Sequence, residues 1–358
     1  MSVMTVIVLV FSLLGAADLL FGDRLGLGSE FKRGLSLFCP MVLSMLGMIV
    51  IAPAVGEWIT PVLNGFYHAT GIDPSIIPAS LFSNDMGGAP LAQSVAQAEN
   101  VGNFNAFIVA SMMGCIISYS IPYALGVVKH EQYDDMFFGF LCGIVTIPIG
   151  CFVSGLICGL SALTILFDLL PLLILATVIV LMLIFVPRVC IACFSVFGRL
   201  VKGIAIVGMA CAIFTFFTKV EISPHFESLE NAAFICVNAS VTMSGTLPFM
   251  AVVSRLLRRP MHAFGKKLGV NNASAFAFLS NLVTNATTFD AMEKMDKKGT
   301  VLNAAFAVSA AFVLGGQLAF TMAYDSRYVL PMIVGKLVAG VCGVALAALL
   351  YKHKEKTT

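Results

Sequence analysis

The 358-residue chain carries little charge for its length. Lysine, arginine, aspartate and glutamate make up 11% of its residues, whereas a soluble domain carries about 25%. Hydrophobic residues make up 59%, and the mean hydropathy is +0.97. This composition excludes a soluble globular protein and predicts an all-α polytopic membrane protein that is embedded in a lipid bilayer.

Motifs that carry catalysis are also missing from the sequence. The five histidines fall in predicted loops or in the tail, and no His-Glu-x-x-His pattern occurs, so no metal centre is predicted. Cys190 and Cys193 form one isolated Cys-x-x-Cys, which is a weak metal or redox signal. There is no glycine-rich phosphate loop, and the net charge of +2 is spread over loops. We therefore expect no enzyme activity, no cofactor and no nucleic-acid partner.

The chain contains two related halves. Asn105 aligns with Asn303 at an offset of 198 residues, and Asn84 aligns with Asn281 at an offset of 197. Repeats of this length are typical of secondary transporters. We predict a first membrane repeat, a linking helix with a cytoplasmic loop, a second membrane repeat and a cytoplasmic tail, over residues 1–163, 164–196, 197–351 and 352–358.

Apolar runs of about 20 residues, which is the length needed to cross a bilayer, predict transmembrane helices. Two segments near 75–94 and 273–292 contain polar residues and either cross the membrane or re-enter it as hairpins. The other runs predict nine transmembrane helices, at 3–21, 35–57, 104–128, 136–158, 164–187, 197–218, 232–254, 301–323 and 328–351.

The distribution of positive charge decides between these topologies, because cytoplasmic loops are enriched in lysine and arginine. With two re-entrant hairpins, eighteen such residues lie on the cytoplasmic side and two outside. With two crossings instead, the division is ten against ten. We therefore predict an inverted internal repeat with two opposed re-entrant hairpins, the N-terminus outside and the C-terminus in the cytoplasm.

The tips of opposed hairpins meet near the membrane midplane, where transporters of this kind bind substrate. Asp85 is costly at this depth, by about 2.5–3.5 kcal/mol, so it should have a partner. The alternatives are a cationic substrate, a coupling cation, Lys336, or capping of the next helix. The remaining tip residues either bind substrate or only cap the hairpins: Ser83, Asn84, Asn281, Thr284 and Asn285.

Three other charged residues need an assignment. Lys336 lies about 12 Å below the outer surface by the helix rise, and a structural role is favoured for it. Asp168 and Asp290 lie near the ends of a predicted span and of a predicted hairpin, and both are expected to be solvated.

Four segments of the sequence resemble the ethanolamine-utilisation permease family of bacteria, the EutH-type ethanolamine transporters. They are residues 84–88, 143–151, 303–312 and 331–337, and the resemblance extends over nearly the whole chain. It implies import of protonated ethanolamine across the bacterial cytoplasmic (inner) membrane. The family often carries an acid after the glycine equivalent to Gly315, whereas this chain has Gly316 followed by Gln317.

An ethanolamine ammonium needs a carboxylate, polar partners for its hydroxyl and an aromatic face. Asp85 and the polar tip residues would supply the first two, Gln317 joins this set, and Tyr119 or Phe320 would supply the third. Import would occur by uniport that is driven by the membrane potential, or by alternating access with an ion. The alternatives are a Na⁺- or H⁺-coupled carrier of another small amine or amino acid, and a channel-like or sensory membrane protein. Analogy with elevator-type carriers predicts a homo-oligomer.

Overall fold

A computed structural model describes residues 3–357, with side chains as far as residue 352. Within this range the chain is helical and contains no β-strand, as predicted. Helical stretches that run into one another are joined under one label. The helices are α1 Val3–Leu20, α2 Leu27–Thr70, α3 Ile76–Leu81, α4 Gly88–Val95, α5 Glu99–Val127, α6 Tyr133–Ile157, α7 Ala162–Asp168, α8 Leu170–Phe185, α9 Pro187–Thr218, α10 Leu229–Leu256, α11 Arg258–Leu268, α12 Asn272–Val283, α13 Ala286–Asp290, α14 Lys297–Ser309, α15 Gly316–Tyr324 and α16 Val329–Thr357.

Seven helices of the described range are long and apolar enough to cross a membrane, namely α1, α2, α5, α6, α9, α10 and α16. Helices α7 and α8 meet at an angle of 42° and together form an eighth candidate. The nine predicted crossings are therefore not confirmed. The predicted helix over 301–323 is interrupted between Ser309 and Gly316, so the prediction of one continuous helix there is wrong.

The interruption between α14 and α15 follows from tertiary hydrogen bonds. Phe312 adopts a left-handed backbone with a φ of 62°. The N–H groups of Phe312 and Leu314 donate to the carbonyl oxygens of Asn281 and Leu282, at 3.1 and 2.7 Å. These donors are therefore satisfied outside a helix, which unwound backbone at membrane depth requires.

Both polar segments fold back on themselves as two short helices. The first hairpin consists of α3 and α4, and the second of α12 and α13. Asp73, before the first hairpin, accepts hydrogen bonds from the N–H groups of Gln97 and Ala98, after it, at 3.0 and 2.9 Å. Asn271, before the second hairpin, donates from its N–H to Asp296 Oδ1 at 2.9 Å. The two ends of each hairpin therefore lie side by side.

The two halves tie their hairpins to the following long helix in the same way. On α5, Asn105 Nδ2 donates to Ser75 Oγ at 2.9 Å. On α14, Asn303 Nδ2 donates to the carbonyl oxygen of Ser274 at 2.9 Å. The two asparagines are 198 residues apart, and the two serines 199.

A tightly packed group of helices, α6, α14 and α16, supports the hairpins. A Cβ on Gly150 of α6 would lie 2.3 Å from the carbonyl oxygen of Gly335 on α16. Ser154 Oγ donates to the carbonyl oxygen of Pro331 at 2.8 Å in the same contact. Small residues allow membrane helices to approach this closely. Helices α1, α8 and α9 expose large apolar side chains, as lipid-facing helices do, including Leu13, Ile174 and Phe217.

Candidate functional site

The tip of the first hairpin is a tight turn built around glycine. A short 3₁₀ turn, Asn84–Met86, joins α3 to α4. Gly87 has a φ of 89°, and a Cβ on Gly88 would lie 2.2 Å from the carbonyl oxygen of Phe82. Side chains are excluded from both glycine positions for these two reasons. The turn brings three polar residues together at the tip, Ser83, Asn84 and Asp85.

Helix α15 of the second half covers this tip. Gln317 Nε2 donates to Ser83 Oγ at 3.2 Å, and Asn84 Nδ2 donates to Thr321 Oγ1 at 3.4 Å. Ser83 Oγ in turn donates to Asp85 Oδ1 at 2.5 Å. The structure thus brings four of the predicted site residues into one hydrogen-bond network, namely Ser83, Asn84, Asp85 and Gln317. The sequence reasoning did not select Thr321.

The tip of the second hairpin lies at the break between α12 and α13. Asn285 Nδ2 donates to Ser120 Oγ on α5 at 2.7 Å, and Asn281 Nδ2 donates to Asn303 Oδ1 at 3.4 Å. Thr284 Oγ1 accepts the N–H of Ala286 at 3.2 Å, which is a local turn contact. The three predicted residues of this hairpin therefore share one tip.

Helix α5 connects the two tips. Ser118 Oγ accepts the N–H of Ser83 at 3.0 Å, and Ser120 Oγ accepts from Asn285. Both serines lie in a π-helical part of α5, Ile116–Ser120. The sequence reasoning missed them, although two hydroxyls two residues apart in an apolar segment were a usable signal.

Three predicted site residues have a buried amide oxygen without a hydrogen-bond partner in the described part of the chain. They are Asn281, Asn285 and Gln317, through Oδ1, Oδ1 and Oε1. Each side chain uses its NH₂ group in the contacts above, so the free oxygen is an acceptor. Buried polar atoms are normally paired, and unpaired ones indicate an absent ligand or water.

Asp85 is neither a helix cap nor a member of an ion pair among the described residues. Helix α4 begins after Gly87, and no side chain caps it, so the alternative that Asp85 caps this helix is wrong. Ser83 is its hydrogen-bonding side-chain partner, and Asp85 as a whole residue is half-buried. A Cβ on Gly316 would lie 3.6 Å from Asp85 Oδ2, so the first residue of α15 packs next to the carboxylate.

Lys336 is fully buried, with 1% of its surface exposed. Its Nζ donates to the carbonyl oxygen of Ser111 on α5 at 2.6 Å. Lys336 attracts Asp85 electrostatically at a distance, but the two residues do not form an ion pair in the described chain. The predicted structural role of Lys336 agrees with its contact with the backbone.

Tyr119 is a partly exposed aromatic residue close to the first tip. Its ring stacks on Tyr123, with 5.6 Å between centroids, and meets Phe312 edge to face at 5.5 Å. Phe320, the other aromatic candidate, is fully buried and packs on Tyr324, so it does not face the open side of the tip.

A cavity of about 980 Å³ leads from this region to one surface of the protein. Met86, Ser118 and Tyr119 are among its lining residues. Arg188, Arg199 and Lys202 also line it and are exposed.

The end of the second hairpin is tied to the turn after α5. Lys129 Nζ lies 2.6 Å from Glu293 Oε1, and Gln132 Nε2 donates to the carbonyl oxygen of Met292 at 2.6 Å. The hydrogen bond between the two charged groups raises the pKa of Lys129 and lowers the pKa of Glu293. The pair therefore remains charged around neutral pH.

Of the two acids expected to be solvated, one is buried. Asp290 is exposed and accepts from Tyr123 Oη at 3.3 Å, in agreement with the prediction. Asp168 is only 4% exposed, because the bend between α7 and α8 turns it into the protein, so its prediction is wrong.

The chain is similar to known proteins over nearly its whole length. The model of the family described as "Ethanolamine utilisation protein, EutH" matches residues 1–350. The probable ethanolamine permease EutH of Listeria monocytogenes is 36% identical over 350 residues, which covers 98% of this chain and 94% of that protein. The probable ethanolamine permease EutH of Escherichia coli is 32% identical over 94% of this chain and 89% of its own.

A third relative, the uncharacterised protein YxeR of Bacillus subtilis, is 33% identical over 94% of this chain and 91% of its own length. No solved structure matches the chain.

Proposed function

Because the chain belongs to the EutH family of ethanolamine utilisation proteins, we propose that it imports protonated ethanolamine across the bacterial cytoplasmic membrane. Two of the relatives described above are named probable ethanolamine permeases, and the apolar helices of this chain fit a multi-pass transporter. The substrate and the mechanism are the parts that we propose for this chain.

The observation that carries the proposal is that the carboxylate of Asp85, at the tip of the first hairpin, is bonded to Ser83 and has no cationic partner within ion-pair distance among the described residues. A primary ammonium has three N–H donors and a positive charge, so it matches a carboxylate well. It also matches the unpaired amide oxygens close to the tips. In the proposed complex, the ammonium binds Asp85 and the substrate hydroxyl binds one of the free oxygens of Asn281, Asn285 and Gln317.

Tyr119 completes the proposed site with an aromatic face. A cation above a tyrosine ring gains about 0.5–2 kcal/mol, depending on desolvation. Ser83 and Asn84 have a different role in the proposed site, since Ser83 positions Asp85 and Asn84 joins the tip to α15. Thr284 bonds to its own turn and is proposed to shape the second tip.

The membrane potential can drive this import without a coupled ion. A potential of about 100 mV contributes about 2.3 kcal/mol for each positive charge that moves inward. At about 1.4 kcal/mol for each factor of ten, this corresponds to roughly 40-fold accumulation. We therefore propose uniport as the minimal mechanism, and alternating access with a coupled ion as its extension.

The proposed topology has nine crossings, of which α14 and α15 together form one interrupted crossing. Each hairpin returns to its own side, since its two ends lie side by side. Five proposed crossings separate the hairpins, so the first enters from outside and the second from the cytoplasm. The cavity lined by Arg188, Arg199 and Lys202 then opens to the cytoplasm. Its positive charge disfavours rebinding of a released ammonium, which supports import. We also propose that the protein assembles as a homo-oligomer.

Counterflow of labelled ethanolamine in liposomes tests the proposed function. Liposomes that contain the purified protein and unlabelled ethanolamine should accumulate external label transiently, whereas protein-free liposomes should not. A carrier exchanges substrate in this way, but a channel or a sensor does not. Equal label in both preparations would contradict the proposal. Stronger competition by an amino acid than by unlabelled ethanolamine would favour a carrier of another amine.

A further inference from the structure

Helix α11 connects the end of a candidate membrane helix to the start of the second hairpin. Helix α10 ends at Leu256 and has 28 residues, so it is about 42 Å long by the helix rise, which exceeds the hydrocarbon core of about 30 Å. Helix α12, the first helix of the second hairpin, begins at Asn272. In the proposed topology both of these ends are cytoplasmic. Helix α11 therefore lies at the cytoplasmic surface of the membrane.

The sequence of α11 separates basic from apolar side chains. Four of its five basic residues are spaced by three or four positions and share one face of the helix. They are Arg258, Arg259, His262 and Lys266. Met261, Phe264 and Leu268 have the same spacing and share the other face, and α11 contains no aspartate or glutamate. This pattern is typical of helices that lie in a membrane surface and attract anionic lipids.

The apolar face of α11 packs on the second hairpin. The ring of Phe264 meets that of Phe278 on α12 edge to face, with 5.7 Å between centroids. A Cβ on Gly265 would lie 2.8 Å from the Cβ of Ala275, so the two helices approach closely. The apolar face is therefore covered mainly by the protein itself, whereas the basic side chains of α11 are exposed.

The basic side chains at the start of α11 line a cavity of about 510 Å³. Arg258, Arg259 and His262 line it together with Asn272 and Phe276 of α12, and no acid lines it in the described part of the chain. His262 Nδ1 lies 2.6 Å from Asn272 Oδ1, which ties this face to the first residue of the hairpin. Neither arginine forms an ion pair among the described residues. The cavity thus presents two guanidinium groups without a negative partner.

We propose that this cavity binds the phosphate group of an anionic phospholipid from the cytoplasmic leaflet. Arg258 and Arg259 donate to the phosphate oxygens, because the planar guanidinium fork matches a phosphate well. The acyl chains lie along Leu256 and Leu257, which directly precede the arginines and are 73% and 36% exposed. Binding is non-covalent, so no bond is formed or broken.

A phospholipid fits this place better than a soluble phosphate does. A soluble phosphate would pair with the arginines but would leave the adjacent leucines without a partner. A lipid brings its phosphate and its acyl chains to the same depth as this charged and apolar pair. The negative surface potential of the cytoplasmic leaflet also attracts basic segments that lie next to membrane helices.

The bound lipid has a consequence for the second hairpin, which rests on the proposed function. Helix α11 contacts α12 through Phe264 and His262, so a lipid held by α11 restrains the cytoplasmic end of this hairpin. The tip of the same hairpin carries Asn281 and Asn285 of the proposed substrate site. We therefore expect anionic lipid to increase the rate of transport.

Titration of the purified protein in a neutral detergent tests the lipid site. The probe is phosphatidylglycerol with a fluorescent acyl chain, and the measured quantity is its dissociation constant. Arg258→Gln combined with Arg259→Gln should raise this constant about 30-fold, or about 2 kcal/mol for two charges. Arg258→Lys combined with Arg259→Lys should recover part of the affinity, since lysine keeps the charge but not the bidentate geometry.

The matched control is Arg24→Gln combined with Lys32→Gln, which removes the same charge from two exposed positions on the cytoplasmic side of the proposed topology. It should leave the dissociation constant within about twofold, a change of under 1 kcal/mol. Equal weakening in the control and in the glutamine variant of α11 would show general attraction by positive charge and would overturn the site. A large excess of inorganic phosphate should not displace the probe. Displacement would assign the cavity to a soluble anion and overturn the lipid proposal.

Counterflow in proteoliposomes then tests the link to transport. Wild type should exchange ethanolamine faster in phosphatidylcholine vesicles that contain phosphatidylglycerol than in phosphatidylcholine alone. Arg258→Gln combined with Arg259→Gln should lose this difference. Equal rates of wild type in the two kinds of vesicle would contradict the link. Absence of counterflow in both would remove the proposed function, but the titration would still decide the lipid site.

Discussion

Asp85 is the residue on which the proposed chemistry depends most. We expect Asp85→Asn to raise the half-saturation concentration for ethanolamine at least about tenfold, since a hydrogen bond to a charged group contributes about 1.5–3 kcal/mol. The side chain keeps its size and can still contact Ser83, so the amount of folded protein should not change. The measurement is initial uptake in proteoliposomes over a range of concentrations.

The control for this change is Asp290→Asn, which neutralises an exposed acid that contacts only Tyr123 in the described hydrogen bonds. It should leave uptake near the wild-type level. Equal half-saturation in wild type and Asp85→Asn would show that the carboxylate does not bind the ammonium, and the substrate site would have to be sought elsewhere.

The contributions of the charge and of the volume of Lys336 to stability can be measured separately. Lys336→Met keeps a long side chain in the core and removes a buried charge, so stability should change little or increase. Lys336→Ala leaves a cavity and should cost about 2–5 kcal/mol. Thermal unfolding in detergent compares the two variants. If both are equally destabilised, the hydrogen bond to Ser111, and not the volume, is the main contribution of Lys336.

At the scale of single residues, the sequence indicated which polar side chains to consider, but not whether each of them is buried or exposed. Asp85 and the tip asparagines were predicted because polar groups are rare in apolar sequence. The burial of Asp168 was not predicted, because it depends on a bend between two helices that are both apolar. Ser118, Ser120 and Thr321 were missed because a single hydroxyl residue is common in membrane helices, and the close spacing of Ser118 and Ser120 was not used.

The hairpin turn is the element on which the first site is built, and glycine makes it possible. Gly88→Ala places a Cβ 2.2 Å from a backbone oxygen, so we expect a loss of about 3 kcal/mol or more from overpacking. Gly65→Ala is a matched control, since no atom lies within 4 Å of the added Cβ. The control lies inside α2 and should gain about 0.5–1 kcal/mol. Both are measured as the midpoint of thermal unfolding in detergent.

A Gly88→Ala variant as stable as wild type would mean that the turn can rearrange, and the tip would then be a mobile element. Transport by that variant would distinguish a harmless rearrangement from loss of the site. The two glycine variants are expected to change the unfolding midpoint in opposite directions. A general effect of the detergent would shift both midpoints in the same direction, so it cannot produce this result.

At the scale of elements, the sequence predicted the hairpins but not the interruption of the predicted helix 301–323. Each hairpin is marked locally by polar residues, and the first also by Gly87 and Gly88. The interruption falls in the apolar run 310–314, with no proline or asparagine, and it depends on hydrogen bonds from Phe312 and Leu314 to a distant segment. Periodicity and composition contain no information on such a partner.

At the scale of the whole molecule, the topology can be tested by labelling single cysteines. Cys39 and Cys193 are the exposed native cysteines within the described range, so both are first replaced by serine. A membrane-impermeant thiol reagent should then label Ala98→Cys in intact cells. It should label Lys297→Cys only after the cytoplasmic side is opened. Both positions are exposed, so access and not burial decides the result.

Labelling of both positions from the same side would contradict the inverted repeat, since the two hairpins would then enter together. The distribution of positive charge, with an odd number of crossings between the hairpins, predicts opposite sides. The chain in which only these two native cysteines are replaced gives the background labelling.

The need for the whole protein should depend on external pH. Neutral ethanolamine crosses a bilayer unaided, whereas the ammonium does not, because charge is costly in the bilayer. Below the amine pKa, which is close to that of lysine at about 10.4, each unit fall in pH reduces the neutral fraction about tenfold. A bacterial strain without its own amine transporters should therefore use scarce ethanolamine poorly at acidic pH. Expression of this chain should restore growth there and make little difference at alkaline pH, and Asp85→Asn serves as the inactive control. Equal growth with and without the protein at acidic pH would exclude ethanolamine as its substrate.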